Sequence, residues 1–349
     1  MRVVRPFPAR IVRAEWARRL VTGLAELPED TGTLPPVGPP DPAAYADAEP
    51  ALYVYRQARE DVVAIGVVCD VAVAALVDGR ARGHEAVQDQ RVESLVKHRE
   101  SPDVPPALVA LLHDAGPVFR GVISEMTGTD PLLDFPGPGG FRQQVWQVPA
   151  GETTAALVEE LSTVTHYIAD GHHRVAAELA AWHRGGRPDG AGILAVLHPM
   201  DGLRLSAFHR RVIGPVDLAA LRELLGRACT VSTTAAPPAP ESGSFGLYAA
   251  GLWHDVTPLV RGDGLDVELL QAEVLDPLGQ RVEIAPAKTP VDELTRRCDA
   301  DEGVLFTLAP PPLTALIRLA DAGEVMPPKT TYFEPKPAAG IFRRPAGLA

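Results

Sequence analysis

Tyr167-Ile168-Ala169-Asp170-Gly171-His172-His173-Arg174-Val175-Ala176-Ala177 is the stretch on which the reading of this chain turns. Tyr167-Ile168-Ala169 reads as a short strand, Asp170 to His173 as a turn, and Arg174 to His183 as a helix. A strand that delivers the chain straight into a helix start suits an anion. Backbone N–H groups and the helix dipole point at the turn. Gly171 lets the backbone approach a ligand closely. Arg174 can clamp a phosphate with two parallel hydrogen bonds. Asp170 can cap the helix or hold Mg²⁺. The residues alone leave a second reading open, in which Asp170 is an ordinary cap and the two histidines are exposed. A zinc site on His172 and His173 is disfavoured, because adjacent histidines diverge on a helix and no Cys or HExxH partner is near.

Two more clusters carry chemistry-bearing residues. Arg82-Gly83-His84-Glu85, followed by Gln90-Arg91 and Lys97-His98-Arg99-Glu100, places His84 and Glu85 just after the turn at Asp78-Gly79-Arg80. An exposed glutamate there suits a general base or a metal ligand; the plainer reading is a solvated charged helix. Met326-Pro327-Pro328-Lys329-Thr330-Thr331-Tyr332-Phe333-Glu334-Pro335-Lys336 sets two lysines and two hydroxyls on a proline-stiffened loop. Such a loop can meet a phosphate at reduced entropy cost, or can simply dock through Tyr332 and Phe333. The chain contains no Gly-x-Ser-x-Gly, Gly-x-x-x-x-Gly-Lys-[Ser/Thr] or Gly-x-Gly-x-x-Gly, which removes the corresponding hydrolase, P-loop and dinucleotide readings.

Around these clusters the patterning is that of a mixed α+β protein with mixed sheets and packed helices. Leu52 to Gln57 and Val62 to Val71 read as two strands of a hairpin around residues 58–61. Strands are also expected at Pro117 to Ile123, Arg142 to Val148, Ile193 to Leu197 and Leu203 to Phe208. Helices are expected at Ala14 to Leu27 and Thr153 to Leu161, and residues 84–115 read as polar and helical, broken by prolines. The prolines at 35, 36, 39 and 40 argue against a regular element within residues 28–50. A second break falls at residues 233–246. The expected division is residues 1–50, an N-terminal helix and Pro-rich segment; 51–232, the catalytic core; and 247–349, a C-terminal α+β subdomain carrying the Met326–Lys336 loop.

Composition narrows the function classes. With 349 residues, 46% of them hydrophobic and 22% charged, the chain can build a core. It has 33 basic and 45 acidic residues, a net charge of -12, which disfavours a nucleic-acid partner. No apolar run is long enough to cross a membrane, and the N-terminus lacks the apolar core of a signal peptide. Cys69, Cys229 and Cys298 lie far apart, with no metal-ligand spacing and no disulfide framework. A reduced, cytoplasmic protein is expected.

At the three clusters the chain resembles the bacterial and archaeal domain-of-unknown-function 1015 family. The likeness rests on Ala51-Leu52-Tyr53-Val54-Tyr55-Arg56-Gln57, His84-Glu85 with Gln90-Arg91, Gly116-Pro117-Val118-Phe119, Tyr167 to Arg174, Ala195-Val196-Leu197 and Ala322 to Lys336, and spans about residues 45–343. Family members have Pro-Pro-Tyr-Asp-Val where this chain has Gly38-Pro39-Pro40-Asp41. They have a threonine and an Asp-Arg pair after His-Glu where it has Ala86-Val87 and Gln90-Arg91. More distantly, Asp170 to Arg174 is similar to the second motif of ParB-like proteins, a superfamily that includes sulfiredoxin and free-serine kinases.

That similarity implies a ParB/sulfiredoxin-like nucleotide-binding core. It also implies a kinase that uses Mg²⁺ and ATP or ADP to phosphorylate a small hydroxylated metabolite such as free L-serine. In this reading Asp170, Gly171, His172, His173 and Arg174, with Lys329, Thr330 and Lys336, bind the nucleotide. Asp170 and Glu85 hold the metal, Glu85 is the base, and His84 or His172 polarises a phosphate oxygen. Partners are then small molecules, and a homodimer is compatible with this. The rivals are an O-phosphoserine phosphatase and a non-catalytic nucleotide-binding regulator.

Overall fold

The apolar hairpin forms with Tyr53–Arg59 paired antiparallel to Val62–Ala72, Arg59 opposite Val62 and Tyr53 opposite Val68. The computed structural model describes residues 2–23, 41–60, 62–98, 107–260, 264–286 and 288–345. The fold is mixed α+β. The chain divides into two compact units, Met1–Arg204 with Pro335–Ala349, and Leu205–Glu334. The Met326–Lys336 stretch is therefore shared out, Lys329 and Thr330 going to the second unit and Lys336 to the first.

In the first unit the strands lie in the order Ala81–Arg82, His166–Asp170, Val109–His113, Gly192–Pro199, Val62–Ala72, Tyr53–Arg59, Arg142–Gln147 and Leu133–Pro136, with Val4–Arg5 paired to Val62–Ala72. His166–Asp170 runs parallel to Ala81–Arg82 and antiparallel to Val109–His113. Helices Pro117–Thr127, Glu152–Thr163 and His172–Arg184 supply Phe119, Val122, Leu157, Leu161 and Val175 to a core with Val67, Val109, Leu111, Ile168 and Leu197. Leu157 and Leu161 are four apart, on one helical face, and fully buried; burying each contributes about 2 kcal/mol. A second sheet of the unit orders Phe342–Arg343, Phe7–Val12 and Tyr45–Ala51.

The second unit is built on an antiparallel sheet in the order Cys229–Thr234, Leu252–Pro258, Phe245–Ala249, Val304–Leu308, Phe208–Val212 and Val282–Pro286. Tyr248, Ala285, Leu294, Cys298 and Leu305 form a core cluster there. All three cysteines of the chain are free and buried. Among the described residues no helix is long and apolar enough to cross a membrane.

Four local expectations are corrected. Residues 117–123, expected as a strand, lie in the Pro117–Thr127 helix. Gly116 is extended, Pro117 takes the first turn, and the Glu160 carboxylate accepts from the Val118 and Phe119 N–H groups at 2.9 and 2.7 Å. A cap from another helix is invisible in the local sequence. The polar helix expected over 84–115 is confined to Asp89–His98, and the apolar Val109–His113 forms an inner strand. Tyr45–Ala51 is a strand despite the prolines upstream; it takes the edge of its sheet, where Pro50 is tolerated. The N-terminal helix is Ala14–Leu20, shorter than expected. Residues 24–40, holding most of the Pro-rich segment, and 99–106, with Arg99 and Glu100, lie outside the described residues.

Candidate functional site

The Tyr167–Ala177 stretch folds as read, with strand His166–Asp170, Gly171 as the residue before the helix, and helix His172–Arg184. Gly171 has φ of 102° and ψ of 26° and, being glycine, brings no capping side chain of its own to the helix start. A Cβ at Gly171 would come within 2.9 Å of Arg174 Nη2, so both the backbone angle and the space call for glycine. The first-turn backbone N–H groups and the helix dipole behind a glycine N-cap are of the kind that hold an anion.

Asp170 does not cap that helix. Its Oδ2 accepts from Arg174 Nη2 at 2.5 Å and its Oδ1 from Lys336 Nζ. Burial pushes the Asp170 carboxyl up, but Lys336 and then Arg174 outweigh this and hold it at about 2. Arg174 is committed as well, with Nη1 donating to the Leu108 carbonyl at 2.6 Å. The arginine expected to clamp phosphate is thus chiefly a strut between Asp170 and the chain entering Val109–His113. At the turn two cations answer one carboxylate.

Lys336 is placed by residues the sequence reading did not single out for chemistry. Gln57, buried on Tyr53–Arg59, donates from Nε2 to the Lys336 carbonyl at 3.0 Å. The Tyr55 hydroxyl accepts from the Ala338 N–H at 3.3 Å and donates to Gln143 Oε1 at 2.5 Å. The C-terminal segment is thereby fastened along the strand. The available signal was a glutamine continuing the Tyr53–Tyr55 alternation, on the face opposite Arg56, since a buried polar side chain needs a partner.

His84, Glu85 and His172 come together. The His84 backbone N–H donates to His172 Nε2 at 3.3 Å, the two rings meet edge-on at 4.6 Å, and His172 Nδ1 lies 3.5 Å from Glu85 Oε2. Because Nε2 accepts, the neutral ring carries its proton on Nδ1, facing the carboxylate. Burial, then His84, pushes His172 well below its ordinary value, and burial holds His84 at about 4. Both rings are neutral at pH 7, so the His172–Glu85 contact is a dipole to a carboxylate and not an ion pair. Gly83 permits the approach, since a Cβ there would stand 3.1 Å from His172 Cδ2. His173 diverges from its neighbour, and its Nε2 accepts from the Gln88 N–H at 3.1 Å.

Among the described residues no three His, Cys, Asp or Glu side chains are grouped to hold a metal ion. A cation at Asp170 would have to displace Arg174 or Lys336. Glu85 offers one carboxylate, and Mg²⁺ bound with a nucleotide takes one or two carboxylates beside the phosphate oxygens.

Over residues 44–280 the chain matches the family described as "Protein of unknown function (DUF1015)". The chain belongs to that family. No curated protein matches it. Similar solved structures include a free serine kinase variant in complex with ADP, 14% identical with a TM-score of 0.41, covering 79% of this chain and 91% of that one. A C-terminally truncated SbnI from Staphylococcus aureus is 13% identical with a TM-score of 0.41, covering 76% and 82%. A conserved hypothetical protein from Pyrococcus furiosus is 15% identical with a TM-score of 0.37, covering 78% and 94%.

Proposed function

We propose that the chain binds the phosphates of a nucleotide, ATP or ADP, at the start of the His172–Arg184 helix and transfers a phosphoryl group to a small hydroxylated metabolite such as free L-serine. The observation that carries this reading is the helix start behind left-handed Gly171, beside two cations on one carboxylate. The likeness of Asp170 to Arg174 to the second ParB-like motif supports it.

Phosphoryl transfer asks the protein mainly for positioning and charge. Backbone N–H groups after Gly171 receive the phosphate oxygens. Lys336, on its Gln57-held segment, offsets charge on the transferred group. Glu85 takes the proton of the attacking hydroxyl, and the His172 Nδ1–H aims its carboxylate. The acceptor oxygen forms the new bond to phosphorus, the bond to the nucleotide's bridging oxygen breaks, and the shortened nucleotide leaves with that electron pair. His84 acts through His172, which its backbone N–H holds.

The test is ³¹P NMR of the full chain with Mg²⁺, ATP or ADP, and a panel of hydroxy amino acids. A new phosphomonoester signal that requires both nucleotide and acceptor is expected, and Glu85→Gln should lower its rate about a hundredfold or more, the usual scale of a lost acid–base group. Absence of that signal, with O-phosphoserine losing phosphate in a tube without nucleotide, would overturn the kinase reading in favour of hydrolysis.

A further inference from the structure

Two helices of the first unit begin side by side. Asp89–His98 packs along His172–Arg184. The Gln88 N–H, one residue before the first helix, donates at 3.1 Å to Nε2 of His173, in the first turn of the second. Farther along, Glu93 Oε1 accepts from Arg184 Nη2. Arg91 lies between these two fastenings, its N–H bonded back to the Gln88 carbonyl at 3.0 Å. Arg91 and Arg174 are each the third residue of their helix.

That placement is electrostatically unfavourable. The start of a helix carries partial positive charge and favours an acidic side chain over a basic one, yet both starts present an arginine. The two guanidiniums also repel each other. Burial lowers Arg174 first, Asp170 opposes this, and Arg91 lowers it further. Arg174 has its compensation in Asp170 and the Leu108 carbonyl.

Arg91 has no such compensation. Its side chain is exposed, and among the described residues its guanidinium makes no hydrogen bond and no ion pair. Asp89, two residues before it, faces another side of the helix. Around the turn, Arg91, Arg174 and Lys336 stand against the carboxylates of Asp170 and Glu85. An anion between the two helix starts would relieve both the dipole conflict and the repulsion. A phosphate suits a guanidinium best, because two N–H groups match two of its oxygens.

We propose that Arg91 is the arginine that clamps the phosphate chain of the nucleotide, the task Arg174 cannot take while it holds Asp170. This role rests on the phosphate site read at the Gly171 helix start. It adds to that site a second helix start and the side chain that sets its preference for a phosphorylated nucleoside.

Titration calorimetry of the full chain with ADP and with adenosine tests it, in wild type, Arg91→Ala and Arg91→Lys. Wild type should bind ADP at least tenfold more tightly than adenosine. Arg91→Ala should weaken ADP tenfold or more and leave adenosine within twofold. Its urea midpoint should equal or exceed that of wild type, since like charges are being separated. Arg91→Lys should recover part of the ADP affinity, because an ammonium keeps the charge without the two parallel bonds. No preference for ADP in wild type would overturn the phosphate site and the Arg91 clamp together. A wild type that prefers ADP, with an Arg91→Ala variant that keeps the full preference, would overturn the clamp alone. A lowered urea midpoint, equal losses for ADP and adenosine, or full recovery in Arg91→Lys would each overturn the clamp as well.

Discussion

Replacing Asp170 by asparagine keeps the size of the side chain and removes its charge, leaving Arg174 and Lys336 facing each other without their common anion. The gap between the ordinary 3.8 and the folded value of about 2 converts, at ~1.4 kcal/mol per pH unit, to about 2 kcal/mol. The folded value is depressed, so this contribution is present above pH 3.8 and is lost as the pH falls through 2. Removing one partner of a fully buried pair commonly costs more than linkage alone, about 3–5 kcal/mol; Arg174 and Lys336 are half-buried, so the cost here lies toward the lower end. Asp170→Asn should therefore lower stability at pH 7 by about 2–4 kcal/mol, read by urea unfolding followed by circular dichroism. The double variant Asp170→Asn/Lys336→Met should recover part of that loss, since the two side chains are coupled. A loss of under about 0.5 kcal/mol for the single variant, the range of an inert surface exchange, or strict additivity in the double, would refute the view of Asp170 as the electrostatic hub.

Other consequences are equally measurable. His84, His113, His166 and His198 are each held near 4 by burial, so the unfolded chain takes up their protons first as pH drops. Stability should be full above pH 6.5 and fall steeply between 6.5 and 4, each imidazole contributing on the order of 3 kcal/mol; a urea midpoint unchanged from pH 7 to 5 would contradict this. Gly171→Ala meets a left-handed backbone and the Arg174 guanidinium together, and should cost about 1–3 kcal/mol and weaken nucleotide binding in calorimetry. Gln57→Leu removes the donor to the Lys336 carbonyl; it should weaken ADP binding severalfold, while Gln57→Glu, lacking that donor, should not rescue it.

Legibility tracked how local the determining physics was. The Asp170–Arg174 strand, turn and helix were visible because the apolar run, glycine and helical residues are contiguous in sequence. The meeting of His84, Glu85 and His172 was implied only by the family resemblance, and their hydrogen-bonding directions come from the Ala81–Arg82 strand pairing beside His166–Asp170. The contacts of Asp170 and Arg174 were not legible. Each has the chemistry for a ligand, but Lys336 and the Leu108 carbonyl, brought in from 166 and 66 residues away, occupy them. The Pro117 helix failed for the same reason, since its cap, Glu160, sits on another element. The division of Met326–Lys336 between two units has no signature in a proline-rich loop.

The most direct measurement is a calorimetric titration of the full chain with ADP and with adenosine at low salt, in wild type and in Lys336→Gln. Phosphate recognition at the Gly171 helix start requires ADP to bind at least tenfold more tightly than adenosine, and requires Lys336→Gln to narrow that margin. Equal binding of the two ligands, or no ADP binding at all, would contradict a phosphate site at this turn.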